Sequence, residues 1–331
     1  MTDPVLSVRD LKTVLHLSAG PADVVRGVSF DVWPGETVAL VGESGCGKSM
    51  TMLSVMGLHP QPVAEIVGGR VVLDGVDLLD LPEEKRRLIR GADLAMVYQD
   101  PMTSLNPLMR VGDQIAEVVL SHGRSRDEAR KRTLEVLHQV GIPQPARAVN
   151  AYPHEFSGGM RQRVVIAMAL ALRPRVLIAD EPTTALDVTI QQQIIDLVKE
   201  LRTDSGMAVV WITHDLGVVA RVASRILVMY GGHIVESGST REVFRHPEHP
   251  YTSGLLAAVP PARGKDRPAL VQIPGTPPDA SHQPPGCPFH PRCPQALPRC
   301  TVEMPPRTKR DGQGDNVQTA ACWVPPSEWV A

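Results

Sequence analysis

The chain has 331 residues and is 43% apolar, enough for one large or two medium domains with real cores. A formal net charge of -2 and an aromatic share of 4% leave no strong global field and few stacking rings for nucleic acid. The longest wholly apolar run, residues 164–172, is too short to cross a membrane, which takes ~20 residues, and five cysteines in a chain this long do not suggest a secreted disulfide framework. Met1-Thr2-Asp3-Pro4 opens neither a basic nor an apolar signal segment, so a cytosolic protein is expected.

Residues 5–40 alternate short β-like runs with turns: Leu6-Ser7-Val8, then Val14-Leu15-His16-Leu17, then Val28-Ser29-Phe30-Asp31-Val32. Pro34-Gly35 marks a turn. Thr37-Val38-Ala39-Leu40-Val41 has the length of a buried strand, and Met50-Thr51-Met52-Leu53-Ser54-Val55-Met56 reads as the first turns of a helix. Between them stands Gly42-Glu43-Ser44-Gly45-Cys46-Gly47-Lys48-Ser49. Strand, glycine-rich loop, Lys-Ser and helix, in that order, make the phosphate-binding loop of nucleoside triphosphatases. Glycines let the backbone curl round a phosphate and aim successive N–H groups at it. The helix start adds partial positive charge and unpaired donors. Lys48 then reaches the β- and γ-phosphates, and the Ser49 hydroxyl meets Mg²⁺. Cys46, close to Lys48 and a helix start, is expected to be either a reactive thiol of lowered pKa or a small filler residue of the loop.

Residues 69–76, with Asp74-Gly75, predict a strand entering a hairpin turn. Leu94-Ala95-Met96-Val97-Tyr98 is a buried-type strand ending at Gln99. Residues 101–152 turn helical, with apolar spacings of three and four over 111–120 and 127–140. Phe156-Ser157-Gly158-Gly159-Met160-Arg161-Gln162-Arg163 leads into an Ala-rich helix over 164–172, stopped by Arg173-Pro174. Val176-Leu177-Ile178-Ala179 is a strand ending in Asp180-Glu181-Pro182. A turn at 184–187 enters a helix over 189–201, and a third buried strand at 208–212 ends in Thr213-His214-Asp215. Residues 226–229 and 233–236 flank Tyr230-Gly231-Gly232 as a second hairpin. Strands alternating with helices imply a mostly parallel sheet with polar residues at the strand C-termini. From 259 to 331 the chain is Pro-rich, weakly periodic and holds four of the five cysteines.

Together these motifs resemble the ATP-binding subunits of ABC transporters, over roughly residues 5–240. Ser157-Gly158-Gly159 is the signature that separates that family from a plain kinase or GTPase. Longer strings look like the ATPases of bacterial dipeptide and oligopeptide importers: Gln99-Asp100-Pro101-Met102-Thr103-Ser104-Leu105-Asn106-Pro107, the run from Tyr152 to Arg163, and His249-Pro250-Tyr251-Thr252, which opens an extension with a Pro/Cys-rich tail. The resemblance implies an α/β fold: a phosphate-loop ABC ATPase core of parallel sheet with flanking helices, an antiparallel β subdomain, a helical subdomain and a Cys/Pro-rich C-terminal extension. The expected limits are 1–250 for the ATPase domain, with the helical subdomain inserted at about 101–160, and 251–331 for the extension.

Site roles carry over position by position. The loop Gly42 to Ser49, with Met50, takes ATP. Asp180 holds Mg²⁺ through water, alongside Ser49 and Gln99. Glu181 is the general base, Gln99 senses the γ-phosphate and metal, and His214 contacts the γ-phosphate. Ser157, Gly158 and Gly159 bind the ATP of the other subunit in a dimer with two sandwiched nucleotides, and Asp187 belongs to the turn that crosses to that partner. Met160 stands where many relatives carry Gln. The aromatic that usually covers adenine is missing from Val14-Leu15-His16-Leu17, leaving His16 or the aliphatic side chains to do so. The insert is expected to form a groove for a helix of the membrane subunit, with Met102, Leu105, Leu108 and Met109 either its apolar anchors or core of the insert itself.

Cys287, Cys293 and Cys300 are separated by five and six residues, and Cys322 follows after a longer gap. Thiols in a poorly apolar cytosolic tail favour metal over disulfides, with His290 a further ligand for zinc. The resemblance ranks a structural 4Fe-4S cluster first, zinc second and free thiols third. It also implies the partners: a second, different ATPase subunit, two membrane-spanning permease subunits and an extracytoplasmic solute-binding protein, with no nucleic acid. The implied function is ATP-hydrolysing import of peptides from the cytoplasmic face of the inner or plasma membrane. The alternatives are an importer for nickel or another small solute, and a non-transport soluble ABC ATPase.

Overall fold

The computed structural model describes residues 3–184, 186–259, 272–309 and 318–329. The expected turn at 184–187 includes Ala185, and the expected extension includes 260–271, 310–317 and 330–331; these positions lie outside the described residues. The chain divides into two compact units. One comprises Met1–Leu6, Val32–Glu36 and Leu73–Trp211; the other comprises Ser7–Asp31, Thr37–Val72 and Ile212–Ala331. The fold is mixed α/β, with parallel and antiparallel pairing.

In the first unit, strand Val176–Asp180 lies between Leu94–Val97 and Ala208–Thr213. Leu94–Val97 and Val176–Asp180 run parallel, Leu94 opposite Val176 and Val97 opposite Ala179. All residues of both strands are buried, which accounts for their continuous apolar runs: a parallel strand covered on both faces needs no polar alternation. The helical block contains Pro101–Ser104, Val111–Leu120, Arg126–Gln139 and Pro145–Ala148. Helix Arg126–Gln139 begins in a capping box: Ser125 Oγ accepts from the Glu128 N–H, and the Glu128 carboxylate accepts from the Ser125 N–H. The helix after the signature is Gly158–Leu170, starting before and ending before the expected 164–172. Its early stop has a local cause. The Arg132 guanidinium donates to the carbonyls of Leu170 and Ala171, both at 2.8 Å, and Arg173 turns left-handed (φ 58°).

In the second unit, Leu6–Leu17 lies between Gly20–Val32 and Ala64–Leu73. The two β-like runs expected at 6–8 and 14–17 are one strand. Thr37–Val41 pairs parallel with Arg225–Tyr230, which pairs antiparallel with His233–Ser239 across the Gly231-Gly232 turn. Three helices of this unit escape the periodicity reading: Leu216–Val222, Thr240–Arg245 and Pro250–Ala257. Each is short and owes its start to a side-chain cap. Asp215 accepts from the Gly217 and Val218 N–H groups, Ser239 from Glu242 N–H, and His249 Nδ1 from Tyr251 N–H. The tail adds the strand Thr319–Ala320, with Ala320 opposite Glu236, and then Thr308–Lys309. Two-residue strands carry no readable period.

The tail does not lack a core to join. Cys287, Phe289 and Cys300 pack in one buried cluster with Val41, Val228, Tyr230 and Tyr251. Phe289 meets Tyr230 edge-on at 5.2 Å and Tyr251 at 5.4 Å, and those two tyrosines meet at 4.5 Å. Tilted and edge-on pairs of this kind add ~0.5–1.5 kcal/mol each beyond buried area. Among the described residues, no helix is long and apolar enough to cross a membrane.

Candidate active site

In the second unit, strand Thr37–Val41 delivers the chain to Gly42, and helix Lys48–Met56 begins at the far end of the loop. Two glycines are required by crowding. A Cβ at Gly42 (φ 156°) would lie 2.3 Å from the Met229 carbonyl oxygen, and one at Gly47 (φ 103°) would lie 2.4 Å from that of Val24. Thr51 donates to the Gly47 carbonyl through both N–H and Oγ1, locking the first turn. The buried Lys48 ammonium folds back over the loop, donating to the carbonyls of Gly42 (2.8 Å) and Glu43 (2.9 Å). Ser44, Gly45 and Ser49 are exposed; Glu43, Gly47 and Met50 are half-buried.

Cys46 corrects the expectation of a lowered thiol pKa. It is 7% exposed, and burial pushes the thiol up, against the opposing pull of Lys48 with Nζ 3.8 Å from Sγ.

His214 follows strand Ala208–Thr213 and is exposed, just before the Asp215 cap. His16, the expected adenine neighbour, is engaged: its Nε2 lies 2.9 Å from Glu65 Oε2.

In the first unit, Asp180 ends its strand buried, 6% exposed. Glu181 follows with φ 45°, a left-handed backbone that costs a non-glycine residue about 1–3 kcal/mol. Its carboxylate is held twice. Gln99 Nε2 donates to Oε2 at 3.2 Å, and Thr184 Oγ1 donates to the same oxygen at 2.9 Å. Gln99 and Glu181, 82 positions apart, are thus brought together. Thr184 went unassigned in the sequence, although the Pro-Thr-Thr after the acidic pair was its signal.

Ser157 caps helix Gly158–Leu170 by accepting from Met160 N–H at 3.3 Å, leaving Ser157 and Gly158 exposed at a helix N-terminus. Gly159 is buried because that helix packs against Ile190; a Cβ there would meet Ile190 Cγ2 at 2.6 Å. Asp187, exposed, caps helix Val188–Ser205 by accepting from Thr189 and Ile190 N–H. Signature and Asp187 turn are therefore neighbours through Ile190. Of the expected membrane-facing anchors, Leu105 is core at 4% exposure, whereas Met102 and Leu108 stand out at 58% and 86%.

Cys287, Cys293, Cys300 and Cys322 line one small cavity with His249, Phe289 and His290. Burial raises the Cys287 and Cys293 thiols, to about 11 and about 12. As placed, no three His, Cys, Asp or Glu among the described residues form a metal-holding group. What the four cysteines share is the lining of one cavity, and thiol is the donor type that soft metals take.

Residues 25–184 match the ABC transporter family, and residues 235–300 match the family Oligopeptide/dipeptide transporter, C-terminal region. The "Dipeptide transport ATP-binding protein DppD" of Bacillus subtilis (strain 168) is 50% identical over 97% of this chain and 95% of its own length. The chain belongs to the family of peptide ABC transporter ATP-binding proteins. A second relative, "Oligopeptide transport ATP-binding protein OppD" of the same organism, is 50% identical over 92% of this chain and 86% of its length. Among solved structures, the chain resembles the "Dimeric structure of a post-hydrolysis state of the ATP-binding cassette MJ0796 bound to ADP and Pi". That likeness has a TM-score of 0.63 and 29% identity, over 71% of this chain and 99% of the other. It also resembles cbiO1 from Clostridium perfringens, part of the ABC transporter complex cbiONQ, with a TM-score of 0.63 and 28% identity, over 74% and 92%.

Proposed function

We propose that this chain is the ATP-hydrolysing subunit that powers import of dipeptides or oligopeptides through an ABC transporter. One observation carries the reading: the likeness to a dipeptide transport ATP-binding protein runs over 97% of the chain, tail included. The ATPase domain is assigned to 1–250, with the helical subdomain at about 101–160, and the extension to 251–331.

The loop from Gly42 to Ser49, with Met50, binds the ATP phosphates through backbone N–H groups, and Lys48 leaves its loop carbonyls to meet the β- and γ-phosphates. Ser49, Gln99 and Asp180 offer hydroxyl, amide and carboxylate oxygens, a set that suits Mg²⁺, which when bound neutralises phosphate charge. Glu181 accepts the proton of the attacking water, oriented by Gln99 and Thr184. His214 donates to the γ-phosphate. Ser157, Gly158 and Gly159 present a helix N-terminus to the nucleotide of a second ATPase subunit, and Asp187 crosses to it; the dimeric ATP-binding cassette among the structural relatives supports this arrangement. The exposed Met102 and Leu108 suit a groove for a permease helix at the cytoplasmic face of the membrane. Cys287, Cys293, Cys300 and Cys322 hold a structural metal, a 4Fe-4S cluster first and zinc second. It adds a cross-link to a tail already seated on the sheet.

The test is uptake of labelled dipeptide into vesicles containing the assembled transporter, its permeases and a solute-binding protein. MgATP should drive uptake. Glu181→Gln should keep MgATP binding but lower hydrolysis and uptake by ~10²–10⁴. The native mass of the same preparation should show one copy of this chain beside a different ATPase. Near-normal turnover by Glu181→Gln would sink the base assignment, and two copies of this chain alone would refute the heterodimer.

A further inference from the structure

We propose that Arg292 is a positioning residue for nucleotide binding: carried in on the C-terminal extension, it clamps Glu43 and so sets the phosphate loop. This rests on the reading of residues 42–49 as that loop. Glu43 and Arg292 are 249 positions apart, yet their side chains form a two-pronged pair, Nη1 to Oε2 at 2.6 Å and Nη2 to Oε1 at 3.1 Å. The Arg292 side chain is 5% exposed. Its remaining bonds go to the Tyr230 hydroxyl (3.2 Å) and to the carbonyls of Pro274 (2.8 Å) and Ile273 (3.4 Å). All five guanidinium N–H donors therefore have acceptors, and the planar fork is fixed from several sides.

The loop is held at a second point by the same extension. The Glu43 N–H donates to the hydroxyl of the buried Tyr251 at 2.8 Å. That amide is engaged by the anchor, which leaves the N–H groups of the glycine-rich stretch beyond it to face the phosphates. The loop thus has its glycine-rich stretch free to cradle phosphate while its second residue is fixed by side chain and backbone together.

Two consequences for binding follow from physical chemistry. A glycine-rich loop loses much conformational entropy when it closes on a ligand, and a loop tethered beforehand loses less. Glu43 also places a negative charge inside a site for a polyanion, where it repels the phosphates. Arg292 cancels that charge at contact distance. Lysine would supply the charge but not the fork.

The experiment measures MgATP affinity by titration calorimetry on the purified full chain, with the melting temperature of each variant alongside. Lys48→Ala should abolish binding. Arg292→Met should weaken it about tenfold, ~1.4 kcal/mol. Arg292→Lys should fall between Arg292→Met and the parent. Glu43→Gln combined with Arg292→Met should recover part of the loss, because the unpaired carboxylate is gone. A lowered melting temperature with unchanged Kd in Arg292→Met would mean a structural strut and overturn the proposal, as would additive losses in the double variant. If Arg292→Met fails to fold, Arg292→Lys decides: a Kd equal to the parent's overturns it. If the parent binds no MgATP, or Lys48→Ala binds as the parent does, the phosphate-loop reading falls and takes this proposal with it. Parent-like binding by Arg292→Met with loss in Lys48→Ala sinks the proposal alone.

Discussion

Cys46 shows how burial outweighs proximity for a single residue. Lys48 and the helix start favour thiolate, yet the side chain is 7% exposed and burial raises its pKa. Iodoacetamide should therefore label Cys46 in the native chain at least about tenfold more slowly than in urea, read by peptide mass spectrometry. Labelling at equal rates would show that the thiol is neither buried nor raised. The structural settings of Lys48 and Glu181 were readable because loop and acidic pair each follow a continuous apolar strand. Those of Thr184, Tyr251 and Arg292 were not, since each acts by reaching a partner that no local spacing announces. Tyr251 even stands inside a string that resembles the family, and only their partners, the Glu43 N–H and the Glu43 carboxylate, give Tyr251 and Arg292 a task.

At the level of elements, the buried helices and strands with full periods were legible and the capped short helices were not. Helix Pro250–Ala257 shows why: its start depends on His249, 1% exposed, whose Nδ1 accepts from Tyr251 N–H. Burial depresses the His249 pKa from 6.5 to about 3, so the fold holds it neutral. A depressed folded pKa means that the stability is fully present above the unfolded value and is lost as pH falls from 6.5 towards 3. Two units below 6.5, the loss is on the order of 2–3 kcal/mol. His249→Asn keeps a side-chain acceptor for the cap and removes the titration, so its urea midpoint should fall less over that acid range. Parallel acid limbs for the two proteins would contradict the assignment.

Across the whole molecule, the order of motifs conveyed the α/β class and the extension, because each strand–loop–helix step is local in sequence. The seating of the tail was hidden. A Pro/Cys-rich segment read as coreless shares the sheet's own core through Phe289, Cys287 and Cys300. A metal there would add to packing rather than replace it. Anaerobic purification should yield about four iron and four sulfide per chain, with visible charge-transfer absorbance. A colourless chain with one zinc would reverse the order of metals. Unchanged metal content and tail protease resistance in Cys293→Ser would remove the site altogether.

The pairing of Glu43 with Arg292 also has a consequence in time. The ribosome makes the loop first and its clamp 249 residues later. At ~5–20 residues per second, the nascent loop waits roughly 10–50 s for its second half. Translation that stops short of Arg292 yields a product with every residue of the loop but without the guanidinium that clamps Glu43. Full grip on nucleotide thus becomes a property of the finished polypeptide, and a truncated subunit competes poorly for ATP before it reaches a transporter.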